Sequence, residues 1–249
     1  MMNSTLVRID LSRHLRDVMN MMFVLVLPVF MYLIFGNIFG DSDEAVGRGN
    51  LKFYIMVSMA AYGAAVAATG IAGSAATEQI EGWGRQLALT RMTPRVFVAS
   101  KAVVALLIAT AATLVLFGVA VINGAQADSV LVWLFCLIVI VVGSALFGLY
   151  GLAVALWFKS NSALSTAAAG LTFLAFLGNV FIPLNGTMLT VAKFTPMYGY
   201  VGLVRYPLTD GYNGDIQDPV WLLLANLVGW AAIFALWCLL AVRRTRERR

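Results

Sequence analysis

The sequence is poor in the side chains that do chemistry. It holds one histidine, two cysteines and four lysines. A zinc site draws its ligands from clustered Cys and His, and His14 has no second His or Cys near it, so no metal site is expected. There is no HExxH pattern and no base placed to activate a Ser or Thr, so no catalytic residue is assigned. None of the lysines (Lys52, Lys101, Lys159, Lys193) follows a glycine, which excludes a GxxxxGK[ST] phosphate loop in this chain. Cys136 and Cys238 are expected near opposite ends of their helices, too far apart for the roughly 6 Å that a disulfide spans between Cα atoms. Both read as small apolar packing residues.

Charge is also missing from long stretches. Cutting the chain at its charged residues leaves six uncharged windows, 18–40, 53–77, 102–127, 129–158, 160–192 and 219–242. Each is long enough for a helix at about 1.5 Å per residue to cross about 30 Å of hydrocarbon. The absence of buried ionisable groups argues against a proton- or ion-coupled carrier, which uses such groups as relays. It argues equally against an intramembrane enzyme.

What is present is apolar: 61% hydrophobic residues and 12% charged, with a mean hydropathy of +0.87. The fold class is therefore all-α and integral to a membrane, as one transmembrane domain over 1–249. Spans are expected at about 18–40, 53–75, 98–122, 130–157, 163–184 and 219–241. Alternating barrel strands do not fit these windows. Thirteen of the 17 Lys and Arg residues fall on one side if the N-terminus is inside, and four (Arg48, Lys52, Lys193, Arg205) on the other. The positive-inside rule then places both termini in the cytoplasm, and the net charge of +5 needs no nucleic acid to explain it.

Along the chain, Val7, Leu11, Leu15, Val18 and Met22 recur at helical spacing, so 1–17 should form an interfacial amphipathic helix. His14 reads there as an interfacial polar residue. Pro28 should kink span one. Ala60, Ala64, Ala68, Ala72 and Ala76 form a small-residue stripe on span two, suited to close packing inside the bundle or at a subunit interface. Trp133, Trp157 and Trp221 fit interfacial anchors. The fifth window is too long for one crossing, and Gly178, Pro183 and Gly186 interrupt it. Span five should break near Pro183, and 185–218 should form short re-entrant helices before span six. A basic tail from Arg243 to Arg249 closes the chain.

The most polar long segment, 78–101, lies between spans two and three. Ile80, Trp83, Leu87 and Thr90 would form one helical face, and Glu81 and Arg85 an i, i+4 pair. A bare Trp83 points to an interface anchor; the alternative is a solvated loop. With no phosphate loop of its own, an actively transporting chain needs energy from a partner, and this segment is the largest surface for that partner to push.

These residues resemble the membrane subunits of ATP-binding-cassette (ABC) transporters of the type-2 exporter class. The family often carries an acidic residue, a GWxRQLxLTP-like stretch and a Lys opening span three. Glu78, Glu81, Gly82, Trp83, Arg85, Gln86, Leu87, Leu89, Thr90 and Lys101 match it. Arg91 departs from it, because the Thr-Pro pair comes only at Thr93-Pro94. Phe181-Ile182-Pro183, then Ala192 to Tyr198 with Pro196, then Arg205, resemble the family's late "WIP…AKxxPxY…R" pattern, without its second proline. The resemblance implies a coupling helix over 76–94 and an outer gate around Pro183, Pro196, Tyr198 and Arg205. It further implies two ATPase subunits holding ATP and Mg, and a second permease, identical or paralogous, in a bacterial plasma membrane. The cargo would be lipophilic or amphipathic, such as a drug, antibiotic or lipid-like molecule. Asn37, Phe176, Asn179 and Phe181 are the candidates for lining its cavity. The competing reading is a non-transporting assembly or regulatory protein whose small-residue stripes serve only packing.

Overall fold

The computed structural model describes residues 4–39, 44–78, 94–158, 162–213 and 216–246. The described chain begins with α1 (Ser4–Arg16), then α2 (Val18–Met21), which runs through a π-helical turn (Met22–Val26) into α3 (Leu27–Phe39). A two-stranded hairpin, β1 (Ala45–Val46) and β2 (Gly49–Asn50), leads into α4 (Leu51–Glu78). Then come α5 (Pro94–Ile122), α6 (Val130–Phe158), α7 (Ala163–Leu177), α8 (Gly186–Ala192) and α9 (Pro196–Thr209). A second hairpin, β3 (Tyr212–Asn213) and β4 (Ile216–Gln217), precedes α10 (Val220–Arg246). The hairpins lie at one end of the bundle, and α1 with the far ends of α4 and α10 at the other, here called the basic end.

Five stretches are long and apolar enough to cross a membrane: Met22–Phe39, Leu51–Ala75, Ala99–Ile122, Val130–Phe158 and Val220–Arg244. The chain is thus an all-α, multi-pass membrane protein. The sixth window holds only the 15 residues of α7, about 22 Å at the helical rise, short of a bilayer core. Its helix ends at Leu177, six residues before the Pro183 expected to break it. The physical cause is local. A Cβ on Gly178 would lie 2.5 Å from Met197 Cβ, and Asn179 takes a left-handed φ of 62°. The Asn179 amide oxygen then accepts from the Leu184 N–H at 2.8 Å, fixing the turn.

The core is built around α4, which packs on α6, α5, α3, α7 and α9. Ala60, Ala64 and Ala68 are buried; their stripe lets neighbouring backbones approach. Thr69 lies so close to Gly151 of α6 that any Cβ there would strike its carbonyl oxygen. Pro28 does disturb span one. It cannot donate to the carbonyl of Val24 and its ring crowds it, and the π turn over Met22–Val26 widens the helix just ahead of it. The ring rests on Gly63, where a Cβ would meet Pro28 Cγ at 2.8 Å.

After α7 the chain returns into the bundle. The Tyr200 hydroxyl donates to Ile140 O at 2.8 Å and its ring covers Gly143, ten or more residues into α6. Cys136 lies beside Val204 O, and Arg48 N–H donates to Leu208 O at 2.8 Å at the hairpin end. Helix α9 therefore rises from a deep, Thr195-capped start at Pro196 to the surface at Thr209.

Candidate functional site

At the basic end, four charged side chains from three helices close into one network. Lys101 Nζ donates to Asp10 Oδ1 at 2.7 Å and to Glu78 Oε1 at 3.1 Å. Arg13 donates to the same Glu78 oxygen at 2.7 Å. Asp10, Glu78 and Lys101 are buried, whereas the Arg13 side chain is 57% exposed. Two carboxylates and two cations sum to zero, which is how such burial is tolerated; an unpaired ion would cost several kcal/mol. Glu78 is the last residue of α4 and Lys101 lies in the second turn of α5. They flank residues 79–93, so the network ties both ends of that segment to α1.

The expected amphipathic helix 1–17 is present in α1, but its packed face differs from the apolar stripe. Val7 and Leu11 pack on the core together with buried Asp10 and His14, while Leu15 and Val18 are exposed. The reading of His14 as an interfacial polar residue is thereby corrected: it is 7% exposed. Its Nε2 lies 3.9 Å from Asp10 Oδ1, beyond hydrogen-bonding reach. Burial pushes its pKa down, Asp10 opposes this, Lys101 and Arg13 lower it further, and Glu78 raises it; the shift is downward from 6.5. The ring is therefore neutral at pH 7. Among the described residues, His14 Nε2 and Asp10 Oδ2 are buried without hydrogen-bond partners.

Beside this network a cavity of about 650 Å³ runs between α3, α4 and α7. His14, Asp17, Ser74 and Ser165 line one end; Phe35, Tyr62, Phe176 and Phe181 line the other. From Tyr62 to Ser74 along α4 is about 18 Å at the helical rise. Phe181 is the hub of the aromatic end, with ring centroids 4.7 Å from Phe176 and 5.1 Å from Tyr62. Of the four residues expected to line a cavity, the structure brings Phe176 and Phe181 together here. Asn37 is exposed on α3, and Asn179 is spent on the turn after α7. A second cavity of about 690 Å³, lined by carbon almost throughout, lies between α4, α5, α6, α9 and α10.

At the hairpin end, Tyr198 and Arg205 share a small cavity of about 20 Å³ with Asn179, Tyr54 and Asp218. Arg205 Nε donates to Ser58 Oγ at 2.9 Å and its other nitrogen to Val180 O at 3.3 Å. Its guanidinium stacks 4.2 Å from the Tyr54 ring centre. The Tyr198 hydroxyl donates to Asp218 Oδ2, and Lys193 Nζ donates to Oδ1 at 2.6 Å. Pro196 opens α9 beside them, while Pro183 is exposed in the preceding loop. Glu81, Gly82, Trp83, Arg85, Gln86, Leu87, Thr90 and Arg91 lie outside the described residues; Pro94 opens α5.

Sequence reasoning missed Asp10, Arg13 and His14 as members of one network. The available signal was their position: Asp10 and His14 are i, i+4 and share a helix face with Val7 and Leu11. Two polar residues on an apolar face need a buried partner.

Residues 3–208 match the family described as ABC-2 type transporter. Among curated proteins none matches the chain.

Proposed function

The chain belongs to the ABC-2 type transporter family and is the membrane-spanning permease component of an ABC transporter, and from that premise we propose that it exports a hydrophobic or amphipathic substrate, such as a drug, antibiotic or lipid-like molecule. The energy comes from a separate ABC ATPase, whose two copies bind ATP and Mg and push on 78–94. The observation that carries this reading is the buried network in which Glu78 and Lys101, flanking 79–93, are locked to α1. A force applied to that segment cannot move one helix alone; α1, α4 and α5 must move together, and the cavity beside them is walled by α4.

In this reading the basic end faces the cytoplasm, with both termini there, in a bacterial plasma membrane. Two permeases, identical or paralogous, assemble over the ATPase pair. Substrate enters the cavity lined by Phe176 and Phe181 and leaves past α9, with Pro183, Pro196, Tyr198 and Arg205 around the outer gate. The permease itself performs no bond chemistry.

The test is reconstitution with a co-purified ATPase in vesicles, reading export and ATP hydrolysis together. Glu81→Lys and Arg85→Glu should leave hydrolysis running while export falls at least about tenfold. Export without ATP, or normal export after deletion of 79–93, would favour an assembly or regulatory role instead.

A further inference from the structure

We propose that the cavity between α3, α4 and α7 selects lipophilic amines, holding the nitrogen at His14 and the apolar body against Phe35, Phe176 and Phe181. This rests on the reading of that cavity as the substrate chamber and names the class of substrate it takes.

The argument begins with hydrogen bonds left unmade. His14 lines the cavity, is 7% exposed, and its Nε2 has no partner among the described residues. A buried polar atom without a partner is costly, so a ligand that supplies one gains the difference. The nearby cations are already engaged: Lys101 with Asp10 and Glu78, Arg13 with Glu78. What remains unspent is acceptor capacity. Asp10 Oδ2 is also unpartnered among the described residues, and a neutral imidazole can present a lone pair at Nε2. Burial keeps the ring neutral, since it lowers the His14 pKa. Asp17 lines the same end.

Acceptors without donors choose a donating head. A carboxylate or phosphate head would meet acceptors and the negative charge of Asp10. A plain hydrocarbon would leave Nε2 unsatisfied. An ammonium donates, and its charge suits the neighbouring carboxylates. The opposite end, about 18 Å away along α4, offers the faces and edges of the rings around Phe181. The Tyr62 hydroxyl there is already paired with Thr172 Oγ1 at 3.0 Å, so that end makes no competing demand for a polar group.

The experiment uses the full chain in lipid nanodiscs and three probes differing only in the head: pyrenebutylamine, pyrenebutanol and pyrenebutyrate. Binding is read by energy transfer from tryptophan to pyrene, against protein-free nanodiscs. The amine should bind at least about tenfold more tightly than the butyrate, the size expected of one charge-assisted hydrogen bond. His14→Phe should remove that preference by weakening the amine alone. His14→Gln, which restores an acceptor, should recover most of it and guards against misfolding of the first variant. Equal binding of all three heads, reduced by Phe181→Ala but indifferent to His14→Phe, overturns the amine anchor and leaves Nε2 to water, while the chamber stands. Binding of no probe, or binding indifferent to both Phe176→Ala and Phe181→Ala, overturns the chamber itself.

Discussion

Lys101→Met is the sharpest test of the basic-end network. The side chain it replaces is 5% exposed and bridges two carboxylates. Methionine keeps the bulk and length of the stem but removes the ammonium. Glu78 retains Arg13 at 2.7 Å, so the residue left uncompensated is Asp10, itself buried. Removing one partner of a buried pair costs about 3–5 kcal/mol, because the remaining charge stays out of water. Asp10→Asn should therefore rescue Lys101→Met, returning at least about half of the loss, while Asp10→Asn alone is also destabilising. The coupling in that cycle should exceed about 1 kcal/mol, as expected of residues in one network. By contrast Arg13→Ala, at an exposed side chain, should cost under about 1 kcal/mol. The assay is SDS-driven unfolding of the purified chain in mixed micelles, followed by far-UV ellipticity and tryptophan fluorescence. A Lys101→Met loss below about 1 kcal/mol, or additive effects of Asp10→Asn and Lys101→Met, would refute the reasoning.

Three further outcomes are expected. Gly151→Ala places a methyl against the Thr69 carbonyl and should destabilise by about 1–3 kcal/mol in the same assay. Tyr198→Phe removes the donor to Asp218 Oδ2 and should cost about 1–3 kcal/mol, with the loss localised to α9 and its neighbours by hydrogen exchange. The pH profile follows from His14, whose folded pKa lies below its unfolded value of 6.5. The unfolded chain then takes up the proton first, so stability is full above pH 6.5 and declines as pH falls below it. In His14→Phe the slope between about pH 7 and 5.5 should vanish, since no other histidine exists in the chain.

Much of the fold was legible because a bilayer is a demanding solvent. A long uncharged window must be helical to satisfy its backbone, and α4, α5, α6 and α10 follow their windows closely. Pro28 was legible as a disturbance, though not as a π turn resting on Gly63. The fifth window was read correctly as interrupted but not where: α7 stops at Gly178 because of Met197, a residue 19 positions later. The basic-end network was half legible. Glu78 and Lys101 stood out by charge at the edges of apolar runs, whereas Asp10 and His14 were hidden in a short helix whose pattern favoured a different face.

By itself, then, the sequence determined that this chain lies in a membrane, which segments are helical, and which residues flank 79–93. These follow from local terms: hydropathy over a window, backbone hydrogen bonding and the rigidity of proline. Only the tertiary structure decided which polar groups are paired. Lys101 meets Asp10 across 91 positions and Arg205 meets Ser58 across 147. No period or composition encodes such contacts, because they depend on where whole helices come to rest. The same holds for the cavity between α3, α4 and α7, which exists only as the space those helices leave between them. His14 shows the difference in a single residue: an ordinary polar side chain in sequence, and in the fold a buried one with an unpartnered nitrogen at the cavity's edge.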